Sequence, residues 1–194
     1  MSHANPEERR QQFESLALPL MPRLYNTAWR LTGDQDDAAD ILQDTFLRAY
    51  RTFDNFRPGT NARAWLFTIL YSVFINRRRK RQREVGPLSP DQLERRFQRY
   101  VEQSHDGLGQ PEAWGKSWPP EVLKALGDLP DAFRAAILLV DVEELSYEEA
   151  ATALGCPLGT VQSRVFRARR MLHSALADYA RRAGFTQPEG RDDG

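Results

Sequence analysis

The sequence predicts an all-α protein built from two small helical domains joined by a flexible linker. Apolar side chains recur at helical spacing within residues 41–53 and 62–75 and again after Pro130. Between these stretches, glycines and prolines repeatedly interrupt the segment from Gly86 to Pro120, as in a linker of about 30 residues. Since no stretch shows the two-residue alternation of a strand, we expect helices alone.

The charges cancel over the whole chain but are unevenly distributed along it. The 194 residues include 27 Lys and Arg and 27 Asp and Glu, so the formal net charge is zero. Between Asp34 and Asp54 there are six Asp against two Arg, whereas the segment Arg77–Arg83 holds six basic residues in seven. The zero balance therefore does not exclude a nucleic-acid partner, because a local basic patch still attracts phosphate.

Cysteine content and the length of apolar runs exclude several protein classes. The single cysteine, Cys156, excludes an intramolecular disulfide and a cysteine-based zinc cluster. The first ten residues carry no apolar stretch, so they do not resemble a secretory signal. The longest aliphatic run, Ala135–Val140, is far shorter than the roughly 18 residues of a membrane span. We therefore expect a cytoplasmic protein without membrane insertion.

Two helices are predicted in the N-terminal part of the chain. Gly33 and Asp34 precede an amphipathic stripe that ends near Phe53, and acidic side chains in its first turn suit the helix dipole. After the turn Phe56–Asn61, a second helix is predicted from near Ala62. Its side chains are apolar nearly all the way round, which is typical of the central helix of a bundle.

A basic cluster, Arg77–Arg83, follows this aromatic-rich helix directly. Cationic clusters beside aromatic rings suit single-stranded or partly melted nucleic acid, because phosphates meet the charges and unpaired bases stack on the rings. Core packing is the alternative interpretation for Trp65 and Phe67, and a basic run by itself is a weak signal.

A helix-turn-helix is predicted in the C-terminal part. Pro130 fits the first position of one helix, and the capping box Ser146–Glu149 begins the next. That helix stops at Gly155, and Thr160 is predicted to cap a further helix that begins at Val161. Two short helices joined by a tight glycine-containing turn are the helix-turn-helix pattern.

The last of these helices is predicted to present a basic outer face. Arginine can pair with guanine, serine with a base or a phosphate, and an exposed phenylalanine with thymine methyl groups, so this face suits the major groove. The alternative is a solvated arginine-rich helix in a protein–protein bundle. At about 100° per residue, the inward stripe is Val161, Val165, Ala168 and Leu172, and the outward face is Ser163, Phe166, Arg167, Arg170 and Ser174, flanked by Arg164 and Arg169.

Two sets of motifs resemble one bacterial protein family. Residues 37–46 (DAADILQDTF) and 64–67 (AWLF) resemble region two of a bacterial sigma factor. Residues 145–151 (LSYEEAA) and 154–161 (LGCPLGTV) resemble region four. With only a loose linker between the two, the chain is similar to the short, extracytoplasmic-function (ECF) group. Two long motifs in the right order are more specific than a lone helix-turn-helix.

The resemblance implies a domain organisation and a set of partners. The partners would be core RNA polymerase, through the clamp of its large subunit, promoter DNA and an anti-sigma factor, with no cofactor, metal or catalysis. The Asp-rich segment would then face the polymerase, and the two arginine clusters would face DNA. The implied segments are an N-terminal tail (1–19), region two (20–84), a linker (85–120), region four (121–183) and a C-terminal tail (184–194).

The resemblance also assigns site residues to each partner. Base capture in the −10 promoter element would help open the duplex, since a flipped base must leave its stack. The residues implied for polymerase binding are Asp37, Asp40, Gln43, Asp44 and Phe46. Those implied for the −10 element are Arg57, Asn61, Trp65, Ser72, Asn76, Arg77 and Arg78. Those implied for the −35 element are Thr160, Gln162, Ser163, Arg164, Phe166, Arg167 and Arg170.

Two of these positions depart from the pattern of the family, and they leave base preference open. Ser72 stands where many ECF members have asparagine, so the preferred −10 base is not fixed. Gln162 stands where some members have a basic residue, which allows adenine as well as guanine near the −35 element.

Two other classes of function are weighed against a sigma factor. A stand-alone helix-turn-helix regulator would bind duplex DNA as a dimer, but it would leave the acidic helix and the aromatic–basic block unused. An enzyme is disfavoured because His3, His105 and His173 are scattered and no nucleotide loop, metal spacing or nucleophile–base set is present. Cys156 fits a small core residue better than a redox switch.

Overall fold

A computed structural model of the protein describes residues 5–85 and 118–185, which we call the N-terminal half and the C-terminal half. Every regular element within these ranges is helical, which confirms the all-α prediction. Most of the predicted linker, including His105, lies outside the described residues, and so does His3.

The two halves have the following helices. The N-terminal half contains α1 (Pro6–Ala17), α2 (Met21–Thr32), α3 (Gln35–Arg51) and α4 (Ala62–Val85), with 3-10 turns at Leu18–Leu20 and Phe53–Asn55. The C-terminal half contains α5 (Pro120–Gly127), α6 (Asp131–Ile137), a π-helical turn at Leu138–Val142, α7 (Tyr147–Leu154) and α8 (Leu158–Arg182).

The two predicted N-terminal helices, α3 and α4, are present and begin where the sequence predicts. Gly33 ends α2 in the left-handed conformation (φ 68°), and the Asp34 side chain accepts a hydrogen bond from the Asp37 amide at 2.9 Å to begin α3. The α4 helix supplies much of the core, because its side chains Leu66, Phe67, Leu70, Val73 and Phe74 are buried. It is therefore the central helix of its half, as the sequence predicts.

An additional helix, α1, lies in the segment that the sequence analysis assigned to an N-terminal tail. Phe13 of α1 is buried and makes edge-to-face contacts with Phe46, Tyr50 and Phe53, with ring centroids 5.3 to 6.1 Å apart. Arg9 stacks on the Tyr50 ring at 4.5 Å and forms an ion pair with Asp54. Aromatic contacts of this kind hold α1 against the end of α3.

The helix-turn-helix is present, but its second helix begins earlier than predicted. The Ser146–Glu149 capping box forms in both directions, and Gly155 ends α7 with a φ of 61°. The prediction that Thr160 caps a helix starting at Val161 is wrong: α8 begins at Leu158, directly after Pro157, and Thr160 lies in its first turn. Pro157 is the N-cap residue, with an extended backbone (φ −59°, ψ 148°), and no side chain caps the helix there.

The inward stripe of α8 is as predicted. Val161, Val165 and Ala168 are buried, and Leu172 is half-buried against the core. The helix α6 begins at Asp131, one residue after the predicted Pro130, which is its N-cap. Beyond α6 the chain widens into the π-helical turn, in which the Glu143 amide bonds the Leu138 carbonyl at 2.9 Å. This turn was not predicted from the sequence.

The two halves pack against each other rather than lying apart. The α4 helix contacts α7, and α2 contacts α5 and α6, so buried side chains of both halves form one continuous hydrophobic cluster. Polar contacts surround this cluster, including a hydrogen bond from Arg134 to the Leu31 carbonyl (3.1 Å) and the Arg30 guanidinium over the Trp118 ring (4.1 Å).

We expect Phe13→Ala to lower the free energy of unfolding by about 3 kcal/mol, because it removes a buried ring with three aromatic neighbours. Phe166→Ala is the matched control: this ring is 62% exposed, and its loss should cost about 0.5 kcal/mol or less. Urea denaturation followed by circular dichroism measures both. Equal effects of the two substitutions would contradict the structural role of α1.

Candidate polymerase-binding and DNA-binding surfaces

An acidic face with an exposed leucine runs along α3. Gln43 and Asp44 lie on either side of Asp40, each within about 60° of it around the helix axis. Leu47 lies among them and is 48% exposed, although the sequence analysis did not select it. Leu47 gives this face an apolar centre enclosed by polar side chains, and the same helical-wheel argument applied to the sequence would have found it.

Phe46 does not share this acidic face. It lies about 120° away from Asp40 around the axis of α3. Its ring is half-buried and meets Phe13 of α1 at a centroid distance of 6.1 Å. The structure therefore places Phe46 in the aromatic core of the N-terminal half, apart from the other residues predicted to bind polymerase.

The acidic side chains of α3 are paired with arginines of α4. Arg77 spans two of them, with Nη1 donating to Asp40 at 2.8 Å and Nη2 donating to Asp44 at 2.8 Å. Arg81 donates to both carboxylate oxygens of Asp37, at 2.6 Å through Nη1. The hydrogen bond to Asp37 raises the pKa of Arg81, against the opposing effect of its burial. The sequence led us to expect that the acidic and basic clusters face different partners. In the structure they lie against each other, and their charges are partly neutralised by ion pairs.

The residues predicted for the −10 element divide between different faces of α4. At about 100° per residue, Trp65, Ser72 and Asn76 fall on one stripe. Ser72 and Asn76 are exposed, and the half-buried Trp65 ring lies 5.0 Å from Phe56. Arg77 and Arg78 are turned away from this stripe, because Arg77 faces α3 and Arg78 forms an ion pair with Asp131 of α6.

Two exposed arginines that the sequence analysis did not name individually extend the same stripe. Arg79 and Arg83 lie within about 40° of Trp65 around the α4 axis, and both are exposed. We call Trp65, Ser72, Asn76, Arg79 and Arg83 the α4 stripe. It combines an aromatic ring, two short polar side chains and two cations, which suits an unstacked base with flanking phosphates.

Asn61 has two structural roles besides the one predicted. Its Oδ1 accepts from the amides of Arg63 (3.1 Å) and Ala64 (3.3 Å) and so caps α4. Its Nδ2 donates to Glu149 Oε1 of α7 at 2.6 Å. Arg57, in the preceding turn, is exposed. Asn61 therefore stands where the α4 stripe begins and also where the C-terminal half touches it.

The outer face of α8 is exposed as predicted. Phe166 is 62% exposed, and the Arg170 guanidinium carbon lies 5.9 Å from its ring centroid. Gln162, Ser163 and Arg167 are exposed on the same helix. An aromatic ring among exposed arginines has the composition of a major-groove reading face.

Two other residues of the helix-turn-helix are less exposed than this face, and a third is exposed but paired with a carboxylate. Thr160 and Arg164 are half-buried, and Arg164 Nη1 lies 3.5 Å from the Cys156 Sγ. Arg169 binds Asp141 at 2.6 Å, and that hydrogen bond raises its pKa. Burial raises the pKa of Tyr71 of α4, while the charge of Arg164 acts in the opposite direction. Arg164 is thus close to the N-terminal half.

Neither a metal centre nor a membrane span is found in the part of the chain that the structure describes. Within residues 5–85 and 118–185, no group of three or more His, Cys, Asp or Glu side chains could hold a metal ion. Over the same residues, no helix is both long enough and apolar enough to cross a bilayer.

Comparison with known proteins matches both halves. The family model described as Sigma-70 region 2 matches residues 16–84, and the one described as Sigma-70, region 4 matches residues 121–172. An ECF RNA polymerase sigma factor, EcfG of Rhodopseudomonas palustris, is 38% identical over 159 residues, which are 82% of each chain. An ECF RNA polymerase sigma factor, SigE of Mycolicibacterium smegmatis, is 38% identical over 162 residues. That match covers 81% of this chain but only 59% of the relative.

A solved structure has a similar arrangement of helices. It is the sigma factor RpoE of Bartonella quintana in complex with the anti-sigma factor NepR, with a TM-score of 0.67 and 35% sequence identity. The alignment covers 86% of this chain and 98% of that one.

A double-mutant cycle on Asp44 and Arg77 should reveal a coupling of about 0.5–1 kcal/mol, because both side chains are partly exposed and solvent weakens the pair. The coupling should decrease as salt concentration rises. Urea denaturation of the two single variants, Asp44→Ala and Arg77→Ala, and of the double variant measures it. A cycle of Asp44→Ala with Arg79→Ala is the control and should be additive.

Proposed function

Because this chain belongs to the ECF group of bacterial RNA polymerase sigma factors, we propose that it binds core RNA polymerase, directs it to specific promoters and helps to melt the −10 region. The observation that carries the proposal is the pair of matched regions in family order, each with exposed arginines beside an aromatic ring. We propose residues 20–84 and 121–183 as the corresponding functional domains, joined by residues 85–120.

The outer face of α8 is proposed to read the −35 element in the major groove. Gln162, Ser163 and Arg167 supply hydrogen bonds to base edges, and the exposed Phe166 packs on thymine methyl groups. Arg170 and the half-buried Arg164, with Thr160, hold the neighbouring phosphates. Phosphate contacts fix the orientation of the helix, so that the base contacts can specify sequence.

The α4 stripe is proposed to bind the melted −10 element. The Trp65 ring gives a base a surface to stack on, and Ser72 and Asn76 offer hydrogen bonds to its edge. Arg79 and Arg83 are proposed to hold the phosphates, while Arg57 and Asn61 border the stripe at its N-terminal end. This assignment moves the cationic role along the helix, from Arg77 and Arg78 to arginines that are exposed.

The acidic face of α3 is proposed to dock on the polymerase clamp. Asp40, Gln43 and Asp44 surround Leu47, so that an apolar anchor is enclosed by polar groups. Asp37 lies at the border of this face, where it forms an ion pair with Arg81. Phe46 is proposed to support the surface from the core.

We infer that the protein performs no catalysis of its own and acts in the cytoplasm, where its polymerase works. An anti-sigma factor is a further proposed partner, since the similar RpoE of Bartonella quintana was solved with one.

Run-off transcription tests the whole proposal. Core polymerase with this protein should produce promoter-dependent transcripts from a promoter library, whereas core polymerase alone should not. Absence of any promoter-dependent gain would overturn the proposal. Tight binding of duplex promoter DNA by the protein without polymerase would instead favour a stand-alone regulator.

Arg167→Ala should weaken −35 recognition by about 1–3 kcal/mol if the guanidinium reads a base. Arg169→Ala is the matched control, because Arg169 lies on the same helix but is paired with Asp141. Competition between promoters that differ only in the −35 element measures the change. Unaltered preference in the Arg167 variant would contradict a base-reading role.

Arg79→Ala should weaken holoenzyme binding to forked −10 DNA and lower the slope of log affinity against log salt by about one. Arg81→Ala, two residues further along α4, removes a cation that is paired with Asp37 and should change the slope little. Fluorescence anisotropy across a salt series measures both. Equal slopes for the two variants would argue against the α4 stripe.

A further inference from the structure

A series of four aromatic rings connects α1 to the start of the α4 stripe. The buried Phe13 ring of α1 packs edge to face against Phe53, with the centroids 5.4 Å apart. Phe53 stacks on Phe56 at 6.1 Å with an interplanar angle of 6°, and the Phe56 centroid lies 5.0 Å from that of Trp65. Phe56 and Trp65 are both half-buried, so part of each ring is open to a base. The ring proposed to stack on a base is therefore linked to α1 through two intermediate rings.

Phe53 and Phe56 are held together by one short backbone turn. The Phe56 amide donates to the Phe53 carbonyl at 2.9 Å, which closes the 3-10 turn Phe53–Asn55. The backbone then becomes extended at Phe56 (φ −71°, ψ 129°) and leads into the loop before α4. Because the turn is closed by its own hydrogen bond, its orientation sets where the Phe56 ring lies relative to Trp65.

One side chain of α1, that of Arg9, fastens this turn to the end of α3. Its Nε donates to Asp54 Oδ1 in the turn at 2.8 Å, and its Nη2 donates to the Tyr50 carbonyl of α3 at 2.6 Å. The guanidinium carbon also lies 4.5 Å from the centroid of the Tyr50 ring. The hydrogen bond to Asp54 raises the pKa of Arg9. Since a guanidinium carries its donors in one rigid plane, these contacts together fix the angle between α3 and the turn.

This anchor is of more use for geometry than for global stability. The Asp54 side chain is 75% exposed, and ion pairs of this exposure contribute little to the free energy of unfolding. A recognition site, in contrast, needs its side chains held to within a fraction of an ångström by supporting contacts. Arg9 also precedes residue 16, where the matched family region begins, so the match itself assigns it no role.

We propose that Arg9 is a positioning residue for recognition of the −10 element. By anchoring the turn Phe53–Asn55 to α3, it holds the Phe56 ring beside Trp65, and the two rings present one preformed surface to an unpaired base. A preformed surface loses less conformational entropy on binding and favours the base whose shape fits it. Arg9 itself contacts no DNA. The ligand rests on the proposed function, but the link between α1 and Trp65 does not.

The first test measures this link in the free, full-length chain, without DNA or polymerase. The indole N–H signal of Trp65 is identified in an isotope-labelled sample by its loss in a Trp65→Phe variant. Its chemical shift reports the ring current of the neighbouring Phe56. Arg9→Ala and Asp54→Ala should each move the signal, because either substitution removes the anchor of the turn.

Two further variants show whether the anchor itself is responsible. Arg10→Ala is the matched control: Arg10 is the next residue of α1, but its carboxylate partners, Glu7 and Glu14, lie on α1 itself. It should leave the indole signal where it is in the parent chain. Asp54→Asn keeps an oxygen that can accept from Arg9 Nε, so it should move the signal less than Asp54→Ala does.

The second test measures base discrimination by the holoenzyme of core polymerase and the full chain. Forked −10 probes that differ at a single unpaired base compete for binding, and the ratio of their affinities is recorded. Arg9→Ala and Asp54→Ala should lower this ratio about fivefold, because part of the stacking on the preferred base is lost. The slope of log affinity against log salt should not change, since neither residue holds a phosphate. A merely structural role would weaken binding to all probes equally and leave the ratio unaltered.

The outcomes separate the positioning role from the proposed function. Circular dichroism verifies folding, and Asp54→Ala, at a mostly exposed side chain, decides the outcome if Arg9→Ala fails to fold. An unmoved indole signal in the folded variants overturns the link between α1 and Trp65. A moved signal with unaltered base discrimination overturns the positioning role. A parent holoenzyme that does not discriminate among the probes overturns the proposed function of the α4 stripe, and the first test still decides the link.

Discussion

Burial of α4 is the constraint on which the rest of the structure depends. This helix is apolar on nearly every side from Trp65 to Ile75, so one layer of neighbours cannot cover it. Helices α2 and α3 cover it from the N-terminal half, and α7 covers it from the C-terminal half. What remains uncovered is one narrow polar stripe. The position of the exposed stripe of α4 is therefore set by where α2, α3 and α7 cover its apolar side chains.

The elements that follow local rules could be predicted from the sequence. The acid-rich start of α3, the apolar stripe of α8 and the capping box of α7 each depend on residues within a few positions of one another. The start of α8 was misjudged because Pro157 and Thr160 both offer a helix start, and only the backbone decides between them. The helix α1 was missed because its contacts, Phe46 and Tyr50, are more than 30 positions away in the sequence.

The sequence was sufficient to locate the charged segments of the site, but not to show which side chains form ion pairs with one another. The sequence located the acidic segment and the basic cluster, yet it could not reveal that Arg77 bridges Asp40 and Asp44 across two helices. A charge run looks uniform in a sequence, whereas on a helix each successive side chain turns by about 100°. Successive members of the Arg77–Arg83 run therefore face different neighbours: Arg77 faces the acidic helix α3, Arg78 faces the C-terminal half, and Arg79 faces solvent. The arginines that face solvent, such as Arg79 and Arg83, are the ones that form part of the α4 stripe.

Glu149 links local helix stability to the position of the two halves. One of its oxygens completes the capping box of α7 by accepting from the Ser146 amide, and the other accepts from Asn61, which itself caps α4. Two helix starts in different halves thus share a single carboxylate. By linkage, whatever stabilises the contact between the two halves also protects the first turns of both helices from fraying, and fraying of either weakens the contact. The amide protons at these two helix starts are consequently built-in reporters of how far apart the halves are.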